Sequence, residues 1–131
     1  MKRLALITAL ALAACSPAAD APTEPTPVVE TAPIGAYMVV RGRGYEPADL
    51  GPYAASLAPI YAKYGGRYVA FETDIDVAEG GSADQAMIIS AWPSKAAARA
   101  FWDGPEYREA IKLREGVGTF DVVIVGAIPE G

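Results

Sequence analysis

The chain has 131 residues, room for one domain with a modest core, and it carries 11 basic against 16 acidic side chains, one cysteine and no histidine. An acidic balance makes nucleic acid and anionic lipid headgroups poor partners, since both reward a basic face. Without an imidazole, Ser-His-Asp catalysis, histidine-ligated haem and the usual zinc sites are excluded.

The first residues read "MKRLALITALALAAC": Lys2 and Arg3, an apolar run from Leu4 to Ala14, then the lone Cys15. A charged start, a short apolar stretch and small residues before the break predict a secretory signal peptide over residues 1–14. The run falls well short of the ~20 residues a spanning helix requires. Leu12-Ala13-Ala14-Cys15 resembles the lipobox of bacterial lipoproteins. That resemblance implies a diacylglycerol on the Cys15 sulfur, cleavage before it and acylation of the new amino terminus; the alternative is a stray thiol in a transient signal. Three acyl chains exceed what stable membrane attachment needs. The expected location is the bacterial cell envelope, lipid-anchored and facing the periplasm, and Ser16 in place of Asp points to the outer membrane by resemblance to enteric lipoproteins. After cleavage nine basic residues face 16 acidic ones, a net of −7. No internal disulfide is then possible, and cysteine nucleophiles and thiolate metal sites are excluded as well.

Residues 15–33 form a proline-rich, acidic segment whose only large apolar residues are Val28 and Val29. It cannot bury enough to offset its ordering entropy and reads as a disordered tether. The folded domain is expected over residues 34–131. "AYMVVRG" is a strand apolar on both faces, with Ala36, Met38 and Val40 on one and Tyr37 and Val39 on the other. A helical period follows in Leu50, Tyr53, Leu57, Tyr61 and Tyr64, with Asp49 as its expected cap and Pro59 as a point of bending. Gly65 is expected at positive φ where this helix stops, and Gly66 at the turn into the next strand. Alternation then places Val69, Phe71, Ile75 and Val77 on one face of a second strand and Glu72, Asp74 and Asp76 on the other. "QAMIISAW" is the third strand. Ser94 caps a second helical stretch that breaks at Asp103-Gly104-Pro105, and "TFDVVIVGAI" is the fourth strand.

The order β-α-β-β-α-β predicts an α+β, ferredoxin-like fold: a four-stranded antiparallel sheet with its helices on one face. Helices on one side leave the other face to water, and that face should then alternate to polar. Strands one, three and four instead remain apolar on both faces, as Val122 and Ile124 against Val123 and Val125 illustrate. A second copy packed face to face is the economical cover, so a homodimer is expected.

Three separated motifs agree in order and spacing with a known family. Tyr64-Gly65-Gly66-Arg67-Tyr68, Trp92-Pro93-Ser94, and the run from Phe101-Trp102 through Pro105-Glu106-Tyr107 to Arg114 resemble domain-of-unknown-function family 1330 over residues 36–128. This family is similar to the dimeric α+β barrel proteins, which include cofactor-independent monooxygenases, muconolactone-type isomerases and haem-dependent members. The resemblance implies the dimeric barrel fold and leaves the activity undefined. A lipobox and tether in front of the domain depart from the family pattern.

The candidate ligand-binding residues are Arg67, Tyr53, Tyr64, Trp92, Tyr107 and Arg114. Arg67 is expected near the mouth of a cleft between helices and sheet, where its fork of donors could hold a carboxylate or enolate; the alternative is a structural ion pair. The tyrosines offer aromatic walls and hydroxyl donors, and Trp92 a flat apolar surface, although aromatic residues on such a stripe are as readily core. The acids of the second strand read as solvated charges that discourage edge pairing. "DIDVAEGG" lacks the ligand placement of a calcium loop and "RGRGYE" lacks the third glycine of a dinucleotide fingerprint, so no metal and no cofactor is implied. Three functions remain open: a membrane-tethered homodimeric binding domain for a small, partly apolar or anionic molecule; a cofactor-independent monooxygenase or isomerase; or an envelope structural or interaction lipoprotein.

Overall fold

A run of apolar residues from Ala36 onward forms β1, Ala36–Arg43, which pairs with a neighbour on each side. In a computed structural model, which describes residues 32–80 and 84–129, it is followed by α1 (Gly51–Tyr64), β2 (Arg67–Glu72), β3 (Ala86–Trp92), α2 (Lys95–Asp103), α3 (Pro105–Ile111) and β4 (Thr119–Gly126). The expected signal peptide, Cys15 and the tether up to residue 31 lie outside the described residues. The strands pair antiparallel in the order β2-β3-β1-β4, the α+β arrangement expected from the element order.

All three helices sit on one face. Ala36, Met38 and Trp92 from that side of the sheet join Leu57, Ile60 and Tyr61 of α1, Ala98 and Phe101 of α2, and Tyr107 and Ala110 of α3 in a single core. Trp92 is fully buried, and its Nε1 donates to Ser90 Oγ at 3.0 Å, so its one polar atom is satisfied in the apolar layer.

Local signals acted as expected at most element ends. Ser94 Oγ accepts from the Ala97 amide and caps α2, and the chain restarts at Pro105 after Gly104. Gly65 adopts φ 77° at the end of α1, and a Cβ at Gly66 would fall 2.5 Å from the Trp92 ring. The pair of glycines therefore stops a helix and lets the chain pass close over the indole.

Three local expectations are corrected. Asp49 does not cap α1: Pro47 starts a short 3₁₀ turn, Pro47–Leu50, which feeds directly into the helix. The second strand ends at Glu72, so Ile75, Val77, Asp74 and Asp76 belong to the loop beyond it. Glu72 turns back to accept from the Thr73 and Asp74 amides at 2.8 Å each, which ends the strand instead of extending an acidic row. Finally, Tyr68 pairs with Ser90 while Ala70 pairs with Ile89, which makes Val69 the extra residue of a β-bulge. Val69 and Phe71 therefore do not share a face by simple alternation.

Candidate functional site

At one end of the layer between α1 and the sheet the packing gives way to an open cleft of about 560 Å³. Its floor is Val40 and Gly42 of β1 with Ala86 and Ile88 of β3, and Tyr53, Ala54 and Leu57 of α1 form its roof. The bulge at Val69 turns Tyr68 and Phe71 to this side, where they close the β2 flank. Tyr45 and Phe120 stack at the opposite flank with ring centroids 5.7 Å apart. The Tyr45 and Phe120 rings pack directly on Gly42, where a Cβ would fall 3.0 Å from each, and the aromatic walls enclose a space of the size used for small molecules.

One charged side chain lines this cleft. A 3₁₀ turn, Lys112–Arg114, continues from α3, and it keeps Arg114 in helical register with the inward residues Tyr107 and Ala110, so the side chain is carried inside and is only 7% exposed. Its guanidinium carbon lies 4.3 Å from the Phe120 ring centroid and 5.2 Å from that of Tyr53, between two aromatic faces. Among the described residues no carboxylate lies within ion-pair distance of it, and its Nε is buried without a hydrogen-bond partner. An unmade hydrogen bond of this kind costs about 1–3 kcal/mol, and more on a charged group. Stacking on two rings offsets part of that cost and supplies no acceptor.

Tyr53 and Tyr107 hold the wall behind the arginine through a hydroxyl–hydroxyl hydrogen bond of 3.0 Å. Burial raises the Tyr53 hydroxyl far above the ordinary phenol range, with the neighbouring Tyr107 adding to the effect. Tyr61 and Tyr68, stacked at 4.5 Å, are likewise raised mainly by burial. These hydroxyls are neutral donors at physiological pH and not bases. Glu72, between the cleft residues Phe71 and Thr73, is shifted down by the Asp74 and Thr73 amides.

Of the six expected residues the structure brings Tyr53 and Arg114 into the cleft, with Tyr107 directly behind them. Arg67 pairs with Ala91 on the other face of the sheet, away from the cleft, and its Nη1 reaches the Ala32 carbonyl at 3.5 Å. Tyr64 packs on Phe101 and donates to Glu106, which Lys63 also binds, at the far end of α1. Trp92 is core. Phe120 was missed, though it continues the Val122–Ile124 alternation; Tyr68 was hidden by the bulge.

The other face of the sheet is continuous and apolar at its centre. Tyr37 and Val39 of β1 lie beside Ala91 and Ile89 of β3 and beside Val125 and Val123 of β4. Val123 is 52% exposed and Val125 46%. One end of this face carries Arg41 and Arg43 bridged to Asp84 and Asp121. Among the described residues no group of three His, Cys, Asp or Glu side chains could hold a metal, and no helix is long and apolar enough to cross a membrane.

A family model described as a domain of unknown function, DUF1330, matches residues 35–128. The chain belongs to the DUF1330 family. No curated protein matches it. Among solved structures, a protein of unknown function from Rhodopseudomonas palustris is 19% identical with a TM-score of 0.60, over 74% of this chain and 85% of that one. SnoaB, a cofactor-independent oxygenase from Streptomyces nogalater, is 17% identical with a TM-score of 0.53, over 75% and 97%. A dimeric ferredoxin-like protein of unknown function from Thermobifida fusca is 18% identical with a TM-score of 0.51, over 72% and 92%. At these identities the likeness establishes the ferredoxin-like α+β fold of this DUF1330 domain.

Proposed function

We propose that this DUF1330 chain is a membrane-tethered homodimeric binding domain for a small, largely apolar molecule held in the cleft between α1 and the sheet. The observation that carries this reading is the cleft itself: six aromatic side chains and an apolar floor of Val40, Ala86 and Ile88 around a single buried arginine without a carboxylate partner among the described residues. A folded chain gains nothing from such a hollow unless something occupies it.

The dimer reading rests on the uncovered face. Val39, Ile89, Val123 and Val125 make an apolar centre bordered by paired charges, the composition of an interface core with a polar rim. The dimeric Thermobifida neighbour has the same fold. The tether and envelope location, in the outer membrane by the Ser16 criterion, rest on the lipobox at Leu12–Cys15. Oxygenase or isomerase chemistry would need a proton acceptor at the cleft. Glu72 is shifted down and the buried tyrosines up, which favours binding over such a reaction.

Native mass spectrometry of the full chain released from detergent tests all three parts. The expected result is a dimer with the added mass of lipid on the cysteine and a further constant mass of bound molecule. Val123→Asp should convert it to a folded monomer that keeps the bound mass. A wild-type monomer would sink the dimer, an unlipidated amino terminus the tether, and a chain that binds nothing from a periplasmic extract the site.

A further inference from the structure

The geometry points to a flat, aromatic monoanion, a ring system bearing one carboxylate or enolate oxygen, as the class of molecule this cleft takes, with its anionic group against Arg114. The inference rests on the cleft-binding reading and narrows it.

Arg114 is the one charge on the walls, it is nine-tenths buried, and its Nε–H has no partner among the described residues. A buried cation that lacks a counter-ion is completed by an anion, and the unused donor marks where that anion's oxygen belongs. The charge count sets the class. One guanidinium compensates one negative charge, so a phosphomonoester dianion would leave a charge uncompensated in a desolvated site. A cation is excluded by sign. A neutral amide would satisfy the donor and leave the charge unpaired.

The rest of the ligand is read from the walls. Tyr45 and Phe120 stack at one flank, and Tyr61 and Tyr68 stack at the other. Slabs of aromatic surface beside a floor of Val40, Ala86 and Ile88 fit a planar body better than a branched one. The neutral tyrosine hydroxyls add hydrogen-bond donors without adding charge. The net charge of −5 on the chain repels anions at long range, so affinity must come from this local pairing and from ring burial.

The test compares 2-naphthoate with 2-naphthamide, equal in shape and differing in charge, by calorimetric titration of the full chain in non-ionic detergent against the same micelles without protein. The expected result is one naphthoate per protomer, bound at least about tenfold more tightly than the amide, as a charge-assisted hydrogen bond in a buried site requires. Arg114→Met should abolish the preference while the amide still binds. Equal affinity for the two probes overturns the anion inference and leaves the cleft reading standing. Failure of both to bind overturns the cleft reading, and the inference falls with it. Should Arg114→Met not fold, Ala86→Leu serves to locate the site: it raises the floor, and unchanged naphthoate binding would place the anion elsewhere and overturn the inference.

Discussion

The two ends of the helix–sheet layer are built from the same kinds of residue and end up opposite in character. At one end Phe101 sits with its ring centroid 4.7 Å from Trp92, 4.8 Å from Tyr61 and 4.4 Å from Tyr107, fully buried among them. At the other, aromatic rings stand back around about 560 Å³ of open space. Sheet and helix residues decide the difference. Trp92 fills the floor of the solid end, whereas Ala86, at the opposite end of β3 on the same face, lies at the floor of the hollow one. Aromatic content alone therefore does not indicate packing. What the small residues opposite leave free does.

The largest effect expected from this division is at Phe101. Phe101→Ala should lower stability by about 3–5 kcal/mol in urea unfolding, because the surrounding rings cannot collapse onto the vacancy. A loss near 1 kcal/mol would mean that the solid end relaxes freely and is not solid. A like-for-like pair sharpens the contrast with a smaller effect. Ala98→Leu adds three carbons to a fully buried position and should cost about 1–3 kcal/mol. The same change at Ala86, also buried but facing the cleft, should cost less than about 1 kcal/mol, since there is room for the added carbons. Equal costs at both positions would remove the distinction between the ends.

Much of the solid end was legible in the sequence. The stripe Leu57, Tyr61, Tyr64 and the alternation of Ala36, Met38 and Val40 are direct consequences of the 3.6- and 2-residue periods. The apolar centre of the second face was legible for the same reason, since period two in β1, β3 and β4 turns polar only at the end that carries Arg41, Arg43 and Asp121. The hollow end was harder to see. Its β2 flank depends on a bulge at Val69, and strict alternation is blind to an inserted residue, so Tyr68 and Phe71 could not be placed. Arg67 was misplaced because its position at the start of β2 was read without its face: with Tyr68 turned to the helices, Arg67 must point away. Arg114 carried a usable signal. It stands seven residues after Tyr107, where the 3₁₀ turn Lys112–Arg114 prolongs the buried stripe of α3, a place where a solvated cation does not belong.

A more local effect separates the ends dynamically. α2, which carries Phe101, starts with a side-chain cap from Ser94 Oγ to the Ala97 amide at 3.0 Å. α1, which roofs the cleft with its first turns, starts from a 3₁₀ turn with no side-chain cap. Ser94→Ala should cost about 1 kcal/mol, the usual worth of such a cap. It should also speed hydrogen exchange of the first-turn amides of α2 and leave those of α1 unchanged. The local readout matters more than the total. If loss of the Ser94 cap also quickened exchange over Gly51–Leu57, the two ends would open as one cooperative unit. The cleft would then be a soft part of a single core, where the packing argued above makes it a separate hollow beside a rigid one. Quickening confined to α2 fits the division: the roof of the cleft then moves independently of the core beside it, as a roof that admits a planar molecule must.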